Sequence, residues 1–303
     1  MHLPRWLVVA GSVPFYRVGL HHRVPPRWGR RIMEASGRTM RIPAGTRVEQ
    51  VTIGARPAER VTVGATERPR AVLYLHGGGY TLGSPRLYRA TAAHLSRASG
   101  SVVFNLDYRL APEHVFPAAL DDAVAAFRDL VSEHGFTPSQ IAIAGDSAGG
   151  GLAVAAARVL TDQGMRPGAL GLLSPWTDPS DETFSRQRDF VTNVRWGRKS
   201  AAHYRGTADH LDSGYAPMHG RLDGLPPMLI HCSPVEVLHA QIHRFAERAS
   251  SEQVEVRLVA HDRWWHSIHV LAGTLREATD AVHDVGVFLR THLDAAAQPA
   301  TAR

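Results

Sequence analysis

Stretches with the pattern of β-strands alternate with amphipathic helical stretches along most of this chain, and this alternation is the strongest constraint on its fold. The predicted strands are Arg47–Gly54, Arg60–Gly64, Ala71–Leu75, Ser101–Tyr108, Ile141–Gly145, Ala169–Ser174, Met228–Cys232 and Val254–Val259. From the third strand onward, the predicted helices are Leu87–Ala98, Ala118–Glu133, Ala148–Gly164, Val237–Ser250 and Thr274–Leu293. Alternation of this kind is typical of an α/β fold, with a mostly parallel sheet and helices on both faces. The chain has 303 residues, 44% of them hydrophobic, which is enough for a large buried core.

One long segment interrupts the alternation. After Ser174-Pro175-Trp176, roughly fifty residues pass before the next predicted strand, which is long for a connection. We interpret this segment as an inserted helical cap that, together with the N-terminal segment, covers the carboxyl edge of the sheet, where open α/β sheets bind ligands. The predicted boundaries are 1–44 for the N-terminal segment, 45–176 and 224–294 for the core, 177–223 for the cap insertion and 295–303 for a flexible tail.

A G-x-S-x-G motif from Gly145 to Gly149 lies where a buried strand is followed by a helix. On such a tight turn the serine, Ser147, projects its hydroxyl from the edge of the sheet, and glycines are needed on both sides because a Cβ would collide with neighbouring backbone. The alternatives are a glycine-rich turn without chemistry and a phosphate-binding loop, but both the lysine of a Walker loop and the G-x-G-x-x-G spacing are missing. The motif therefore predicts that Ser147 is a nucleophile.

Three consecutive glycines follow another buried strand, in the sequence His76-Gly77-Gly78-Gly79. Glycines expose backbone N–H groups without obstruction, as a carbonyl oxygen that gains negative charge requires. The N–H of Ala148, directly after the serine, would be a further donor. A glycine triplet is more often a flexible loop, so its interpretation as an oxyanion hole depends on the serine motif. His76 is expected to hold the loop and not to carry protons.

Three motifs together resemble the hormone-sensitive-lipase branch of the α/β-hydrolases, in which bacterial carboxylesterases dominate: His76–Gly79, Asp107–His114 and Gly145–Gly150. The resemblance extends from about Ala71 to Leu293. It implies the α/β-hydrolase fold, with a mostly parallel eight-stranded sheet and a helical cap. It also implies hydrolysis of acyl esters by a serine triad.

The resemblance further implies roles for residues around the serine. The implied oxyanion donors are Gly77, Gly78 and Ala148. The second motif resembles the family's structural support for the oxyanion loop, so no catalytic role is expected for its charged residues Arg109 and Glu113.

The general base is expected in the loop after the last strand, because the triad of this fold class runs in the order serine, acid, histidine. A serine hydroxyl is a poor nucleophile until an imidazole removes its proton. His266 is preferred, because Trp264-Trp265-His266 resembles the family's segment that leads into the final helix. His261 is the second candidate, and His269 is expected to lie one turn into the final helix and to face elsewhere.

The acid of the triad lies in a region that departs from the family pattern. Members of the branch usually carry an aspartate there, but the sequence from His231 to Leu238 contains none. Glu236 occupies the register and is assigned as the acid that orients His266. The alternative is that Glu236 only caps the helix that starts at Val237. The family's usual acidic residues just beyond are replaced here by His239, Ala240 and Gln241.

The predicted function is that of a serine carboxylesterase that hydrolyses short- to medium-chain acyl esters through an acyl-enzyme, with no cofactor. Tyr80, Trp264 and Trp265 are expected to crowd the mouth of the site and contact the substrate. No metal site is predicted, because H-E-x-x-H and paired C-x-x-C spacings are missing and one cysteine is too few for a thiolate site. Three alternatives stay open: an amidase with the same triad, acyl transfer to another alcohol, and a non-catalytic ligand-binding relative.

Composition bears on partners and location. The net charge is +6, but the arginines are scattered, so nucleic-acid binding is not expected and the predicted partner is a small acyl ester. The apolar run Trp6–Phe15 is shorter than the roughly 18 residues of a membrane span and contains Pro14, so it is expected to pack near the active-site mouth. Lipid contact through this segment and oligomer formation are left open. The single cysteine, Cys232, cannot form an internal disulfide, which favours a cytoplasmic location.

Overall fold

A mostly parallel sheet of eight strands forms the centre of the molecule in the computed structural model, which describes residues 2–37, 40–64, 68–262 and 264–297. The strands are β1 (Thr46–Ile53), β2 (Arg56–Val63), β3 (Ala71–Leu75), β4 (Val102–Leu106), β5 (Ile141–Asp146), β6 (Leu170–Leu173), β7 (Met228–Cys232) and β8 (Val256–Ala260). Their order is β1-β2-β4-β3-β5-β6-β7-β8. β2 is antiparallel to both of its neighbours, β1 and β4, and all the other neighbouring strands pair in parallel. The predicted fold class is confirmed.

Helices cover both faces of the sheet and enclose two apolar cores. The helices are α1 (Arg5–Gly19), α2 (Pro26–Gly37), α3 (Pro85–Ser99), α4 (Ala118–Ser132), α5 (Ala148–Asp162), α6 (Val194–Arg205), α7 (His239–Ser251) and α8 (Arg276–Ala297). Side chains of β3 alternate between the cores, since Leu73 and Leu75 pack with α4, α5 and α7, whereas Val72 and Tyr74 pack with α3 and α8. Strands buried on both faces read as continuous apolar runs, which is why β3 was recognisable in the sequence.

Two predicted strand or helix boundaries differ from the structure by four residues, and the others differ by at most two. β2 begins at Arg56 instead of Arg60, because it pairs with β1 directly after the two-residue turn Gly54-Ala55, in which both residues have positive φ. The final helix continues to Ala297, so the start of the predicted flexible tail is helical. The rest of that tail, residues 298–303, lies outside the described residues.

The described residues of the segments predicted to form the cap contain three α-helices. α1 and α2 pack against each other and α2 also contacts α3, whereas α6 is the one α-helix of residues 177–223, all of which the structure describes. Within the described ranges, no helix combines the length and the apolar character needed to cross a membrane.

Candidate active site

Ser147 occupies a strained turn between β5 and α5. Its φ of 49° and ψ of −120° lie outside the regions that residues with a Cβ normally adopt. A Cβ on Gly149 would lie 2.0 Å from the carbonyl oxygen of Leu75, and a Cβ on Gly145 would lie 2.4 Å from the carbonyl oxygen of Gly149. Neither distance is tolerable, so the predicted need for glycine on both sides of the serine is confirmed.

His266 joins Ser147 to Glu236. Its Nε2 lies 2.8 Å from Oγ of Ser147, and its Nδ1 lies 2.8 Å from Oε2 of Glu236. Glu236 is completely buried and His266 is 5% exposed. The three side chains come from the segments that follow β5, β7 and β8, and the carboxyl ends of these parallel strands meet at one edge of the sheet. The structure thus brings the three predicted residues together.

The surroundings of His266 favour its protonated form. Burial alone would lower the pKa of His266, but the hydrogen bond and charge of Glu236, followed by the charges of Asp189 and Asp146, raise the pKa above its ordinary value. An imidazole stabilised in this way can take a proton from a neighbouring hydroxyl and hold it.

Asp189 is a further carboxylate near the site that the sequence analysis did not name. Burial raises its pKa, and its charge acts on His266. Its Oδ1 accepts hydrogen bonds from the N–H groups of Val191 and Thr192, at 2.8 and 2.9 Å. It belongs to the cap insertion, and no local motif connects it with the triad. Asp189 is therefore the alternative to Glu236 for the role of the acid that orients His266.

The other two candidate histidines have different surroundings. The ring of His261 stacks on Trp264 with centroids 3.3 Å apart, and burial, followed by a neighbouring imidazole, lowers the pKa of His261 to about 4. The prediction that His269 lies within the final helix is wrong, since it lies in a separate turn of 3₁₀ helix, Ile268–Leu271. Its Nε2 is 3.7 Å from Oδ2 of Asp146.

Glu236 does not cap the helix that follows it. α7 begins at His239 and its N-cap residue is Leu238. Oε1 of Glu236 accepts a hydrogen bond from the N–H of Ser233 at 2.7 Å, which leaves Oε2 for His266. The alternative interpretation of Glu236 as a helix cap is therefore contradicted.

The loop of three glycines differs in one respect from the predicted oxyanion hole. The N–H of Gly77 donates to Oδ1 of Asp146 at 2.7 Å and so turns away from any substrate, because the carboxylate lies directly behind the loop. In the part of the chain that the structure describes, the N–H groups of Gly78, Gly79 and Ala148 donate no hydrogen bond. Gly78 also lines the cavity next to the serine. The prediction for Gly77 is corrected, and Gly79 carries an unbonded N–H group for which no role was predicted.

Asp146 connects the glycine loop with the histidine loop. In addition to the Gly77 N–H, it accepts hydrogen bonds from the hydroxyls of Tyr74 (3.0 Å), Tyr88 (3.2 Å) and Ser267 (3.2 Å). Burial alone would raise the pKa of Asp146, but His269, the Gly77 N–H and the Tyr74 hydroxyl hold the pKa below its usual range. No role was predicted for Asp146 from the sequence. The available signal was its place inside the serine motif, at a strand end where side chains are buried.

His76 holds the glycine loop, as predicted. Its ring lies between those of Tyr88 and Tyr108, with centroids 5.5 and 4.3 Å away, and its Nδ1 is 2.8 Å from the carbonyl oxygen of Gly77. The hydroxyl of Tyr108 donates to the carbonyl of His76 at 2.6 Å. Tyr108 belongs to the Asp107–His114 motif, whose charged residues form ion pairs away from the site. Arg109 pairs with Asp122 at 2.7 Å, and Glu113 pairs with Arg30 at 2.6 Å.

Two cavities meet at Ser147 and His266, and Thr192 and Trp196 line both of them. The larger cavity extends toward the N-terminal helices and is lined by Tyr16, Leu20, Met33, Leu82, Tyr88 and Val270. The smaller cavity extends toward the cap insertion and is lined by Trp176, Phe184, Val194, Val237 and Leu238. A reacting ester at the serine would therefore have a separate, mainly apolar space for each of its two substituents.

Tyr80, Trp264 and Trp265 do not line either cavity, which corrects the predicted substrate contacts. Tyr80 is 2% exposed and stacks on Tyr204 with centroids 3.7 Å apart. Trp264 packs on a neighbouring histidine, and Trp265 lies edge-on to Phe190. These aromatic rings are buried and pack within the loops that contain them, away from the two cavities.

The segment from residue 72 to residue 270 matches the family model described as the alpha/beta hydrolase fold. The chain belongs to this family. This α/β-hydrolase is 39% identical over 266 residues to an acetyl-hydrolase of Streptomyces hygroscopicus. The aligned residues cover 86% of this chain and 87% of that protein. It is 32% identical over 285 residues to the esterase LipU of Mycobacterium tuberculosis, over 88% of this chain and 93% of that protein.

Solved structures agree with the sequence relatives. An esterase from the bacterial hormone-sensitive lipase family superimposes on this α/β-hydrolase with a TM-score of 0.88 and 33% identity, over 96% of this chain and 100% of that chain. The resemblance expected from the three motifs is confirmed, and so is the class of enzyme, a carboxylic ester hydrolase.

Proposed function

We propose that this α/β-hydrolase cleaves acyl esters through an acyl-serine on Ser147, with His266 as general base and acid and Glu236 as the residue that orients His266. The observation that carries the proposal is the continuous pair of 2.8 Å contacts from the serine hydroxyl through the imidazole to the buried carboxylate. A carboxylate that accepts a hydrogen bond from Nδ1–H keeps the imidazole proton on Nδ1, so Nε2 is free to accept the proton of the hydroxyl.

The reaction would proceed in two halves. Oγ of Ser147 attacks the carbonyl carbon while Nε2 of His266 takes its proton, and the N–H groups of Gly78, Gly79 and Ala148 stabilise the oxyanion. His266 then gives the proton to the leaving alcohol as the bond to the acyl carbon breaks. In the second half, water attacks the acyl carbon and gives a proton to His266, which returns it to Ser147 as the carboxylic acid leaves.

The proposed substrates are esters with short to medium acyl chains. The two cavities at the serine would each take one side of the ester, and the indole of Trp196 stands between them as a shared wall. The acetyl-hydrolase relative points to a small acyl group. So does the structure titled as EstE5 soaked by p-nitrophenyl butyrate, which matches with a TM-score of 0.85 and 34% identity over 93% of this chain and 98% of that chain.

We also propose that residues 1–44 and 177–223 act as one cap over the site. Tyr16 and Met33 from the first segment and Phe184 and Trp196 from the second line the cavities around Ser147. A site covered from both directions keeps water away from the developing oxyanion and strengthens the hydrogen bonds to it.

Replacing the serine tests the proposal. Ser147→Ala should lower kcat for p-nitrophenyl acetate and butyrate by at least about 10⁴-fold, and a fluorophosphonate should label the wild type stoichiometrically but not the variant. Ser132→Ala, an exposed serine at the end of α4, is the matched control and should leave both readouts unchanged. Full activity of Ser147→Ala would refute the assignment, and equal rates on a matched ester and anilide would indicate an amidase.

A further inference from the structure

Cys232, His239 and His243 form a cluster of potential metal ligands beside the triad. Cys232 is the last residue of β7, and the two histidines are one turn apart at the start of α7. One ligand atom from each residue lies within 4.8 Å of the others. Sγ of Cys232 is 3.8 Å from Nε2 of His243, and the centroids of the two imidazole rings are 4.3 Å apart.

The spacing is close to that of a tetrahedral zinc site. With Zn–S near 2.3 Å and Zn–N near 2.0 Å, tetrahedral angles separate sulfur and nitrogen by about 3.6 Å, and small rotamer changes would close the remaining gaps. Among the residues that the structure describes, Nδ1 of His239 is buried without a hydrogen-bond partner, and a bound ligand would satisfy such an atom. The sequence analysis predicted no metal site because the three residues match no linear motif; the fold brings them together.

We propose that Cys232, His239 and His243 bind a divalent ion of the zinc class, with a water molecule as the fourth ligand. One thiolate and two imidazoles suit zinc and exclude calcium and magnesium, which take oxygen ligands. Binding would displace the thiol proton of Cys232 to the solvent, so affinity would rise with pH. The site is open on one side because both histidines are only half-buried.

The cluster would also influence catalysis, an inference that rests on the proposed function. The carboxylate of Glu236 accepts a hydrogen bond from the N–H of Ser233, the residue after Cys232, and the carbonyl oxygen of Glu236 accepts one from the N–H of His239 at 3.5 Å. The charge of Glu236 also acts on Cys232 and His239. A bound dication would act on the same carboxylate and weaken its stabilisation of the protonated His266. The expected result is a kcat lowered by about fivefold or more, which is typical of coupling between neighbouring sites.

Cobalt(II) provides a test that does not depend on activity. Titration of the full chain should give the visible bands of tetrahedral cobalt and a thiolate charge-transfer band, at one equivalent. Cys232→Ser should remove the charge-transfer band, and His243→Ala should weaken binding by about 100-fold or more. His210→Ala, at an exposed histidine whose side chain is 58% accessible, is the matched control.

Two outcomes would overturn the site: no thiolate band in the wild type, or the same cobalt affinity in Cys232→Ser and His243→Ala as in the control. Zinc should lower kcat of the wild type but not of His243→Ala. Binding without loss of kcat would overturn the coupling to Glu236 and support the site alone. Failure of the esterase proposal would leave the cobalt spectrum unaffected, so the two can be distinguished.

A second and independent observation concerns the outer side of α1. Trp6 is 71% exposed and Phe15 is 48% exposed, and among the exposed residues from 3 to 18 only Arg17 is charged. The apolar exposed residues are Leu3, Pro4, Trp6, Leu7, Ala10, Gly11, Pro14, Phe15 and Val18. A continuous apolar side of this kind on a surface helix indicates contact with another apolar phase or partner.

Charge identifies the kind of partner. Residues 2–37 contain one acidic residue, Glu34, and six arginines, of which Arg5 and Arg30 form ion pairs with Glu277 and Glu113. Trp28 of α2 is also 48% exposed, and the guanidinium of Arg31 lies over its ring at 4.9 Å. An apolar helix side beside arginines and an exposed tryptophan is the pattern of helices that lie in the interface of anionic membranes.

We infer that α1 docks on an anionic lipid surface with its apolar side inserted between the headgroups. The opposite side of the helix faces the active site, since Tyr16 and the adjacent Leu20 line the larger cavity next to Ser147. Docking would therefore hold this cavity close to the membrane, from which apolar esters could enter it.

Vesicle co-sedimentation tests this docking. The protein should bind vesicles that contain phosphatidylglycerol much more tightly than vesicles of phosphatidylcholine alone, and salt should weaken binding. Replacing Trp6 and Phe15 with serine should reduce binding by at least about tenfold. Leu211→Ser, at a residue 48% exposed elsewhere, is the control. Absence of binding to either kind of vesicle would overturn the inference. If the serine variant instead differed from the wild type only in its oligomeric state, measured by light scattering, the inference would also be overturned and this side of α1 would be assigned to a second copy of the chain.

Discussion

Two buried carboxylates flank Ser147, and comparing their surroundings separates chemistry from support. Glu236 contacts a backbone N–H and the imidazole of His266, which in turn reaches the serine hydroxyl. Asp146 also contacts a backbone N–H and lies near an imidazole, that of His269 at 3.7 Å. Both residues are fully buried carboxylates. The difference lies in where each histidine points: only the first continues to the nucleophile.

The comparison shows that burial and charge alone do not identify a triad acid. The pKa of Asp146 lies below its usual range because His269, the Gly77 N–H and the Tyr74 hydroxyl outweigh the effect of burial, yet none of these is a reacting group. We therefore expect the Glu236 region to control proton transfer and the Asp146 region to control the shape of the oxyanion loop. Four predictions test this division.

The largest effect is expected from Glu236→Gln. Loss of the carboxylate removes the group that fixes the tautomer of His266 and stabilises its cation, so kcat on p-nitrophenyl butyrate should fall by about 10⁴-fold. The unfolding midpoint should change little. Asp189→Asn is the matched control and should reduce kcat less than tenfold. A larger effect of Asp189→Asn than of Glu236→Gln would transfer the acid role to Asp189.

A smaller loss of activity with a larger loss of stability is expected from Asp146→Asn. The variant leaves the Gly77 N–H and His269 without the charge that binds them, so the loop that presents Gly78 should shift. We expect kcat to fall by about 100-fold and the free energy of unfolding, measured in urea, to fall by roughly 3 kcal/mol. Unchanged stability with a full loss of activity would make Asp146 a participant in the chemistry.

The pH profile offers a third, smaller effect. His266 must be neutral to take the serine proton, and because its pKa is raised above the ordinary 6.5, activity should decline with falling pH already above pH 6.5. In Glu236→Gln the pKa of His266 should fall, and the acid limb of kcat/KM should move to lower pH. His269→Gln should leave the acid limb of kcat/KM at the pH of the wild type. A shift of the limb in this variant would show that the Asp146 region also controls the protonation of His266.

The smallest effect extends the comparison to the two cavities. Trp196→Ala should join them at the serine and raise the kcat/KM ratio of p-nitrophenyl octanoate to butyrate by about tenfold, because the shared wall is lost. Leu211→Ala, at an exposed residue of the same segment 177–223, is the control and should keep the ratio of the wild type. An unchanged ratio in Trp196→Ala would mean that this indole does not limit the acyl chain.

Agreement between sequence and structure is closest where the reason is local. The limits of β3 and the turn at Ser147 follow from continuous apolar runs and from the two glycines whose Cβ atoms would collide with backbone. Disagreement arises where a contact joins distant segments. Gly77 was expected to face the substrate and instead binds Asp146, and Trp196, which lines both cavities, was not singled out.

The amino-acid order by itself determined the alternating elements, the strained serine turn and the family, because periodicity, backbone geometry and short motifs are properties of neighbouring residues. Only the tertiary structure decided that Glu236 contacts His266 and does not cap α7, which glycine N–H groups remain unbonded and which aromatic rings line the cavities. Those contacts depend on how loops from different strands meet at one edge of the sheet, and packing over that distance leaves no signal in any single stretch of the chain.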